Sequence, residues 1–144
     1  MNLQHKKAFS LIEVIFAISI IAIIAVVAIP KLGLSLDKAN VMKIKSDITL
    51  IRNGLAEYRD QMILSNDTTP LSSLEESDSF LFDKILDNPI VSSIEVKSAS
   101  WSKLSNNTYQ VWLNRDESLI FTYNSDDYSF DCDFSIDSCG ELTQ

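Results

Sequence analysis

The chain has a long apolar stretch near its N-terminus. No ionisable side chain occurs between Val14 and Ile29, and Glu13 is the only charged residue from Ala8 to Ile29. As a helix rising about 1.5 Å per residue, this stretch would be about 33 Å long, enough to cross a hydrocarbon core of roughly 30 Å. The pattern therefore predicts a membrane-spanning helix.

After Pro30 the apolar residues recur at alternating spacings of three and four, with charged residues between them. This pattern is typical of an amphipathic helix with one buried face. Gly54 and the mixed flanking charges favour packing on the chain's own sheet over coiled-coil pairing. Because Pro30 removes a helical hydrogen bond, a bend is expected there. The apolar stripe consists of Val41, Ile44, Ile48, Ile51, Leu55, Tyr58 and Met62.

The last third of the chain changes to a strand pattern. Residues 108–113, 118–123 and 128–134 are rich in β-branched and aromatic residues, and polar turn segments separate them. They predict an antiparallel meander, with a further strand within 94–101 and a short helix over 80–86 in the connecting region. Alternation predicts one buried face in the third stretch. That face would carry Tyr128, Phe130, Cys132 and Phe134.

These elements predict an α+β fold, in which a long N-terminal helix packs on a small antiparallel β-sheet. Subtracting about thirty membrane residues from the chain leaves roughly 110, which is enough for one small domain and not for two.

Glu13 is the unusual residue of the apolar stretch. An ionised carboxylate at membrane depth costs about 3 kcal/mol, so we expect a partner to neutralise it. The partner could be another chain, a lipid headgroup or a terminus created by cleavage. A cut between Ala8 and Phe9 would free an α-amino group with a pKa near 8, which is cationic at neutral pH.

The segment Lys6-Lys7-Ala8-Phe9-Ser10-Leu11-Ile12-Glu13, followed by an uncharged helix and Pro30, resembles the class III signal of type IV pilins and type II secretion pseudopilins. The resemblance covers residues 6–44. It implies a pilin-like fold, cleavage before Phe9 by a prepilin peptidase and N-methylation of the new terminus. It also implies that Glu13 sets subunit register in a filament and that Pro30 kinks the helix. The family usually has Gly where this chain has Ala8.

The resemblance divides the chain into four parts. They are a leader over 1–8, a transmembrane and assembly helix over 9–30, the amphipathic half of the same helix over 31–65, and a connecting region with a β-sheet head over 66–144.

Two simpler hypotheses explain the same apolar stretch. One is an ordinary secretory signal peptide, with Lys6-Lys7 as its basic region and Val26-Val27-Ala28 as its cleavage site. A glutamate inside the apolar region and the length of that region argue against it. The other is an uncleaved membrane anchor.

The basic pair Lys6-Lys7 predicts a cytoplasmic N-terminus, a single pass through the inner membrane and an exported head. An exported head lies in an oxidising compartment, so Cys132 and Cys139 are expected to form a disulfide. A metal site at these cysteines would need further ligands, and the sole histidine is His5 in the leader.

The C-terminal end is strongly acidic, because no Lys or Arg follows Arg115. Clustered carboxylates can bind calcium, although their spacing here does not match an EF-hand and a solvated acidic face is the usual meaning. No other cofactor is expected. The calcium candidates are Asp126, Asp127, Asp131, Asp133 and Asp137.

The composition of the chain argues against two classes of function, enzymes and nucleic-acid-binding proteins. The sequence lacks a histidine after the leader, a Gly-rich phosphate loop and a nucleophile constellation, which argues against an enzyme. The formal net charge of -8 opposes nucleic-acid binding by most of the head.

A structural filament subunit is therefore favoured. Its expected partners are copies of itself, other pilins or pseudopilins, the prepilin peptidase, an inner-membrane assembly platform, and membrane lipid before assembly. The small head favours a role in type II secretion or DNA uptake over a pilus for adhesion or motility.

Overall fold

The computed structural model describes residues 10–67 and 69–143, and the side chains of all of these except 27–36. The chain divides into two compact units, the first ending at Asp37 and the second beginning at Lys38. The elements are α1 (Leu11–Ser65), β1 (Phe80–Leu81), β2 (Ile90–Val91), β3 (Ser100–Ser105), β4 (Thr108–Trp112), β5 (Ser118–Asn124), β6 (Ser129–Cys132) and α2 (Asp137–Thr143).

In the first unit the chain forms α1 from Leu11 onward. Within the part of the chain that is described, no helix is long and apolar enough to cross a membrane. The predicted span from Ala8 to Ile29 stays a proposal. Pro30 belongs to the segment whose side chains are not described, so the bend expected there also stays a prediction.

In the second unit one face of α1 is buried, as its apolar stripe predicts. Ile44, Ile48, Ile51 and Leu55 are almost completely buried, and the flanking stripe residues are partly buried. These side chains belong to the same hydrophobic core as the sheet residues. The amphipathic helix and its packing on the sheet are therefore confirmed.

The main sheet has the strand order β3-β4-β5-β6, and all neighbours are antiparallel. Trp101 pairs with Val111, and Tyr109 pairs with Phe121, so side chains from three strands meet on the inner face. Alternate residues of β4 and β5 are buried, as expected for a sheet with one wet face. The predicted meander and the α+β class are confirmed.

The predicted short helix over 80–86 is wrong. The chain forms β1, paired with β2, and then a turn closed by hydrogen bonds from the Ile85 and Leu86 N–H groups to the Phe82 carbonyl. Phe82 has φ 64°, which lets the consecutive residues Leu81 and Phe82 both enter the core. Core packing overrides the helix-like spacing, because Phe82 contacts a cluster of aromatic rings. These rings are Trp101, Tyr109 and Phe130.

The strand predicted within 94–101 begins only at Ser100, since Ala99 has φ 58° and interrupts an extended path. Phe134 was expected on the buried face of the third stretch, but it is 64% exposed. Strand β6 ends at Cys132, and the following turn carries Phe134 away from the sheet. Helix α2 was not predicted.

Two polar links tie α1 to the sheet. Asp47 accepts hydrogen bonds from Trp101 Nε1 (3.0 Å) and from Lys43 Nζ (2.9 Å). Arg52 donates to the Asp131 carboxylate at 2.6 Å and to the Phe130 carbonyl at 3.2 Å. Because these bonds have defined directions, they fix the axial position of α1 on β3 and β6, which apolar contacts alone specify less sharply.

Glu75 is a buried carboxylate, only 4% exposed, that the sequence did not reveal. It accepts a hydrogen bond from Tyr109 Oη at 2.7 Å and pairs with Lys103 Nζ at 2.9 Å. Lys103 also pairs with Asp78 at 2.9 Å. Hydrogen bonds to Asp78 and Glu75 raise the pKa of Lys103, while burial, reinforced by Glu75, raises the pKa of Tyr109. The carboxylate is thus compensated by two donors.

Gly54 lies where α1 passes closest to the turn after β1. A Cβ at this position would fall inside contact distance of the Ile85 carbonyl oxygen and 3.3 Å from Leu86 Cδ2. The nearer of these two atoms belongs to the backbone, so a change of side-chain rotamer cannot relieve the clash.

We predict that Gly54→Ala destabilises the protein. Because the obstacle is a backbone atom, the clash should cost about 2–3 kcal/mol, which outweighs the roughly 1 kcal/mol that alanine gains in a helix. Urea unfolding of the full chain in detergent measures the change. The control is Asn53→Ala, an exposed position one residue away, which should be neutral or slightly stabilising; equal stability of the two variants would refute the close approach.

Alkaline pH should destabilise the fold. The pKa values of Lys103 and Tyr109 are raised above 10.5 and 10.0, and burial raises the pKa of Tyr123 to about 12. The folded state therefore holds protons that the unfolded chain releases, so stability is full below about pH 10 and falls as pH rises further, by up to about 1.4 kcal/mol per unit and group.

Urea unfolding at pH 8, 10 and 11.5 tests this dependence. Tyr109→Phe should lower stability at pH 8, because Glu75 loses a donor, and should also flatten the decline at high pH. A free energy of unfolding that does not change up to pH 11.5 would contradict the prediction.

Candidate assembly site

Ser10 caps the N-terminus of α1. The Glu13 N–H donates to the Ser10 carbonyl at 3.1 Å and lies 3.3 Å from Ser10 Oγ, and the Val14 N–H donates to the same carbonyl at 3.3 Å. Ser10 and Glu13 have the S-x-x-E spacing of a capping box, in which the acidic residue also faces the positive end of the helix dipole. Sequence reasoning missed this local role, although the spacing could have revealed it.

The helix that follows is apolar on every side. Its large apolar residues from Leu11 to Val26 are 43–81% exposed, and no polar face balances them. A helix of this kind is normally covered by lipid or by other protein, because exposed apolar surface of this extent is unfavourable in water. The segment therefore requires a partner outside this chain's described fold.

Glu13 is exposed in the first turn of this apolar helix. No lysine or arginine of the described residues forms an ion pair with it. A single carboxylate beside an all-apolar surface is costly to bury unless the covering partner brings a positive charge or hydrogen-bond donors. The geometry thus suits a contact in which a second molecule supplies the cation.

Comparison with protein families bears on this N-terminal segment. Residues 3–29 match the family model described as the prokaryotic N-terminal methylation motif. The motif indicates an N-terminal segment of the type IV pilin or pseudopilin kind. This match confirms the resemblance seen in the sequence. The chain has no match among the curated proteins or among the solved structures.

The described fold and the motif agree at a coarse level. The α+β arrangement of the described residues, a long helix with antiparallel strands, is typical of pilins. The motif implies processing by a prepilin peptidase and assembly with other pilins, and it suggests a membrane-anchored form that precedes the filament. Pilin-type subunits are structural and are not a class of enzyme.

Ala8 and Phe9, the predicted cleavage and methylation residues, lie outside the described residues. Both fall within the matched segment, as do Glu13 and most of the apolar run. Pro30 follows directly after that segment. The roles of these four residues remain predictions.

Cys132 and Cys139 form a disulfide, as the sequence predicts, with their Cα atoms 5.9 Å apart. Cys132 lies at the end of β6 and Cys139 in α2, and both are buried. Leu142 of α2 is also buried, so the disulfide and this side chain hold the C-terminal segment on the core.

The side chains of the calcium candidates make separate contacts and do not point towards a common site. Asp131 pairs with Arg52, and the Ser129 and Ser135 N–H groups donate to Asp127 and Asp133 at 2.9 Å each. Hydrogen bonds from the following serines lower the pKa of Asp127 and Asp133. Asp126 and Asp137 are exposed. Across residues 10–67 and 69–143 no three His, Cys, Asp or Glu side chains could hold a metal ion, so calcium binding gains no support.

Removing the disulfide should loosen the C-terminus without unfolding the head. Because the closed loop is short, we expect Cys132→Ala/Cys139→Ala to lower the free energy of unfolding by about 2–3 kcal/mol. Urea unfolding and hydrogen exchange of α2 measure the two effects. Reductant should destabilise the wild type and leave the double variant unchanged; equal stability of the two proteins would show that the cross-link contributes nothing.

Proposed function

We propose that this protein is a structural subunit of a type IV-pilus-like filament. In this proposal a prepilin peptidase cleaves between Ala8 and Phe9 and methylates the Phe9 amine. The observation that carries it is the methylation motif over residues 3–29, in which Glu13 stands beside an exposed helix that is apolar on every side.

Before assembly the subunit crosses the inner membrane once, with its N-terminus in the cytoplasm and its head in the periplasm or outside the cell. An assembly platform then draws it into a filament, where apolar helices of neighbouring subunits replace the lipid. Subunits related head to tail without ring closure build an open filament. The acidic, disulfide-bonded head suits an exported compartment.

Glu13 sets the register between neighbours in this proposal. Its carboxylate pairs with the methylated Phe9 amine of an adjacent subunit, and the charge is compensated only at one axial offset. The small head favours service in type II secretion or DNA uptake, and a pilus for adhesion or motility is the alternative.

Two substitutions separate the charge of Glu13 from its local role at the helix start. Glu13→Gln keeps a residue that fits the capping box, whereas Glu13→Ala loses both the capping-box side chain and the charge, although Ser10 remains in both variants. We predict that both variants are cleaved and inserted normally, and that the yield of sedimented filaments falls at least tenfold for both. Glu95→Gln, which removes an exposed carboxylate of the head, is the control and should assemble normally.

The glutamine variant decides between the two roles. Filament yield near that of the wild type for Glu13→Gln, with a loss only for Glu13→Ala, would mean that helix capping and not charge pairing is what assembly needs.

A further inference from the structure

A groove runs between α1 and the turn that follows β1. One wall is the face of α1 formed by residues 50–61, and the other is the segment 83–88. Gly54 lets the backbone of that segment approach the helix and close the floor. The cavity volume is about 430 Å³, within the range that accommodates a ligand or a few side chains of a partner.

The charge of this groove is predominantly negative. Glu57, Asp83 and Asp87 contribute carboxylates, and Lys84 contributes the only ammonium among its lining residues. None of the three carboxylates forms an ion pair with a described residue. Asp83 accepts a hydrogen bond from the Glu76 N–H through Oδ1, which leaves Oδ2 available. The groove is therefore suited to a cationic partner.

The groove also has apolar surface. Leu50, 52% exposed, and the half-buried ring of Tyr58 line it beside the carboxylates. A suitable occupant thus presents positive charge and a large apolar side chain together.

A surface of this kind lies on α1 of the same unit. Lys38, Met42 and Lys45 are spaced by four and three residues, which places them on one helix face, here called the Lys–Met strip. Met42 is 72% exposed, and neither lysine has an ion-pair partner among the residues described. Lys43, by contrast, pairs with Asp47 on the side facing the sheet.

The strip cannot fill the groove of its own molecule. Both lie on α1, and Met42 and Gly54 are separated by about 18 Å along the helix and by roughly 120° around it, given the rise and turn per residue. The helix holds them at that separation, so any pairing between them joins two molecules. Contact between two different patches is heterologous and leaves one free strip and one free groove at the ends, so it propagates into an open array wherever the rotation between neighbours does not close a ring.

We propose that the Lys–Met strip of one subunit docks in the groove of a second copy of this chain. The lysines face the carboxylates of Glu57 and Asp87, and Met42 packs against Leu50 and Tyr58. This inference rests on the proposed function, because it supplies a contact between heads in the filament. Pairing of opposite charges makes the contact selective for one orientation of the neighbour.

Disulfide trapping tests the contact directly. The full chain carrying Met42→Cys and Asp87→Cys is expressed with a prepilin peptidase, and membranes are oxidised with copper phenanthroline. We expect a ladder of dimers, trimers and longer species on non-reducing gels, at least tenfold stronger than for Met42→Cys with Ile120→Cys. Ile120 is a matched control because it is half exposed on β5, outside both surfaces.

The form of the product is informative, because each subunit carries both cysteines. A head-to-tail contact links many subunits, whereas a two-fold contact stops at dimers. Either single-cysteine variant should give no ladder. Dimers alone, or cross-linking no stronger than in the control pair, would overturn the inference.

Charge exchange provides a second test. Glu57→Lys with Asp87→Lys, or Lys38→Glu with Lys45→Glu, should each reduce filament yield at least fivefold, and all four substitutions together should restore at least half of it. Failure of the combined variant to recover would overturn the pairing.

The N-terminus of each preparation separates this inference from the proposed function. Filaments of chains that start at methylated Phe9, without the ladder, overturn the docking and leave the proposed function standing. Unprocessed chains with neither ladder nor filaments overturn both.

Discussion

The second unit depends on the burial of one face of α1 against the four-stranded sheet. Ile44, Ile48, Ile51 and Leu55 supply that face, and the aromatic side chains of β3 to β6 meet it from the other side. Burying a side chain of this size contributes about 1.5–3 kcal/mol, so these four residues are a major part of the stability. Without this contact the sheet would expose one apolar face to solvent. The apolar stripe of α1 would be exposed as well.

The same helix shows the opposite situation between Leu11 and Val26, where apolar side chains are exposed on every side. The two parts of α1 therefore have different surroundings. One part folds on its own sheet, and the other has apolar surface that lipid or other protein can cover. In the proposed filament Glu13 would make that covering selective, since an unpaired carboxylate favours a partner that brings a positive charge.

The spacing of apolar residues was sufficient to predict the helix and strands that bury one regular face. The stripe of α1 and the alternation in β4 and β5 each follow from one buried face, and the meander follows from the polar turns between strands. The disulfide between Cys132 and Cys139 was predictable because no other pair was available. The methylation motif was recognisable because its residues lie within one short segment of the sequence.

The sequence patterns were misleading where residues distant in the chain determine the backbone conformation. Phe82 adopts φ 64° because rings from β3, β4 and β6 surround it, and nothing in residues 80–86 indicates those neighbours. Glu75 is buried because Tyr109 and Lys103 reach it from more than 25 positions away in the chain. The groove also depends on a tertiary contact, the approach of Ile85 to Gly54.

Maturation as a filament subunit would change the N-terminus of the chain, so the mass of the N-terminal peptide reveals whether it occurs. The full chain is expressed with and without a prepilin peptidase and analysed by mass spectrometry. A chain that starts at N-methylated Phe9 only when the peptidase is present is the predicted result. A chain that starts near Ile29, or one that keeps Met1 in both cases, would show that the protein does not mature as a filament subunit.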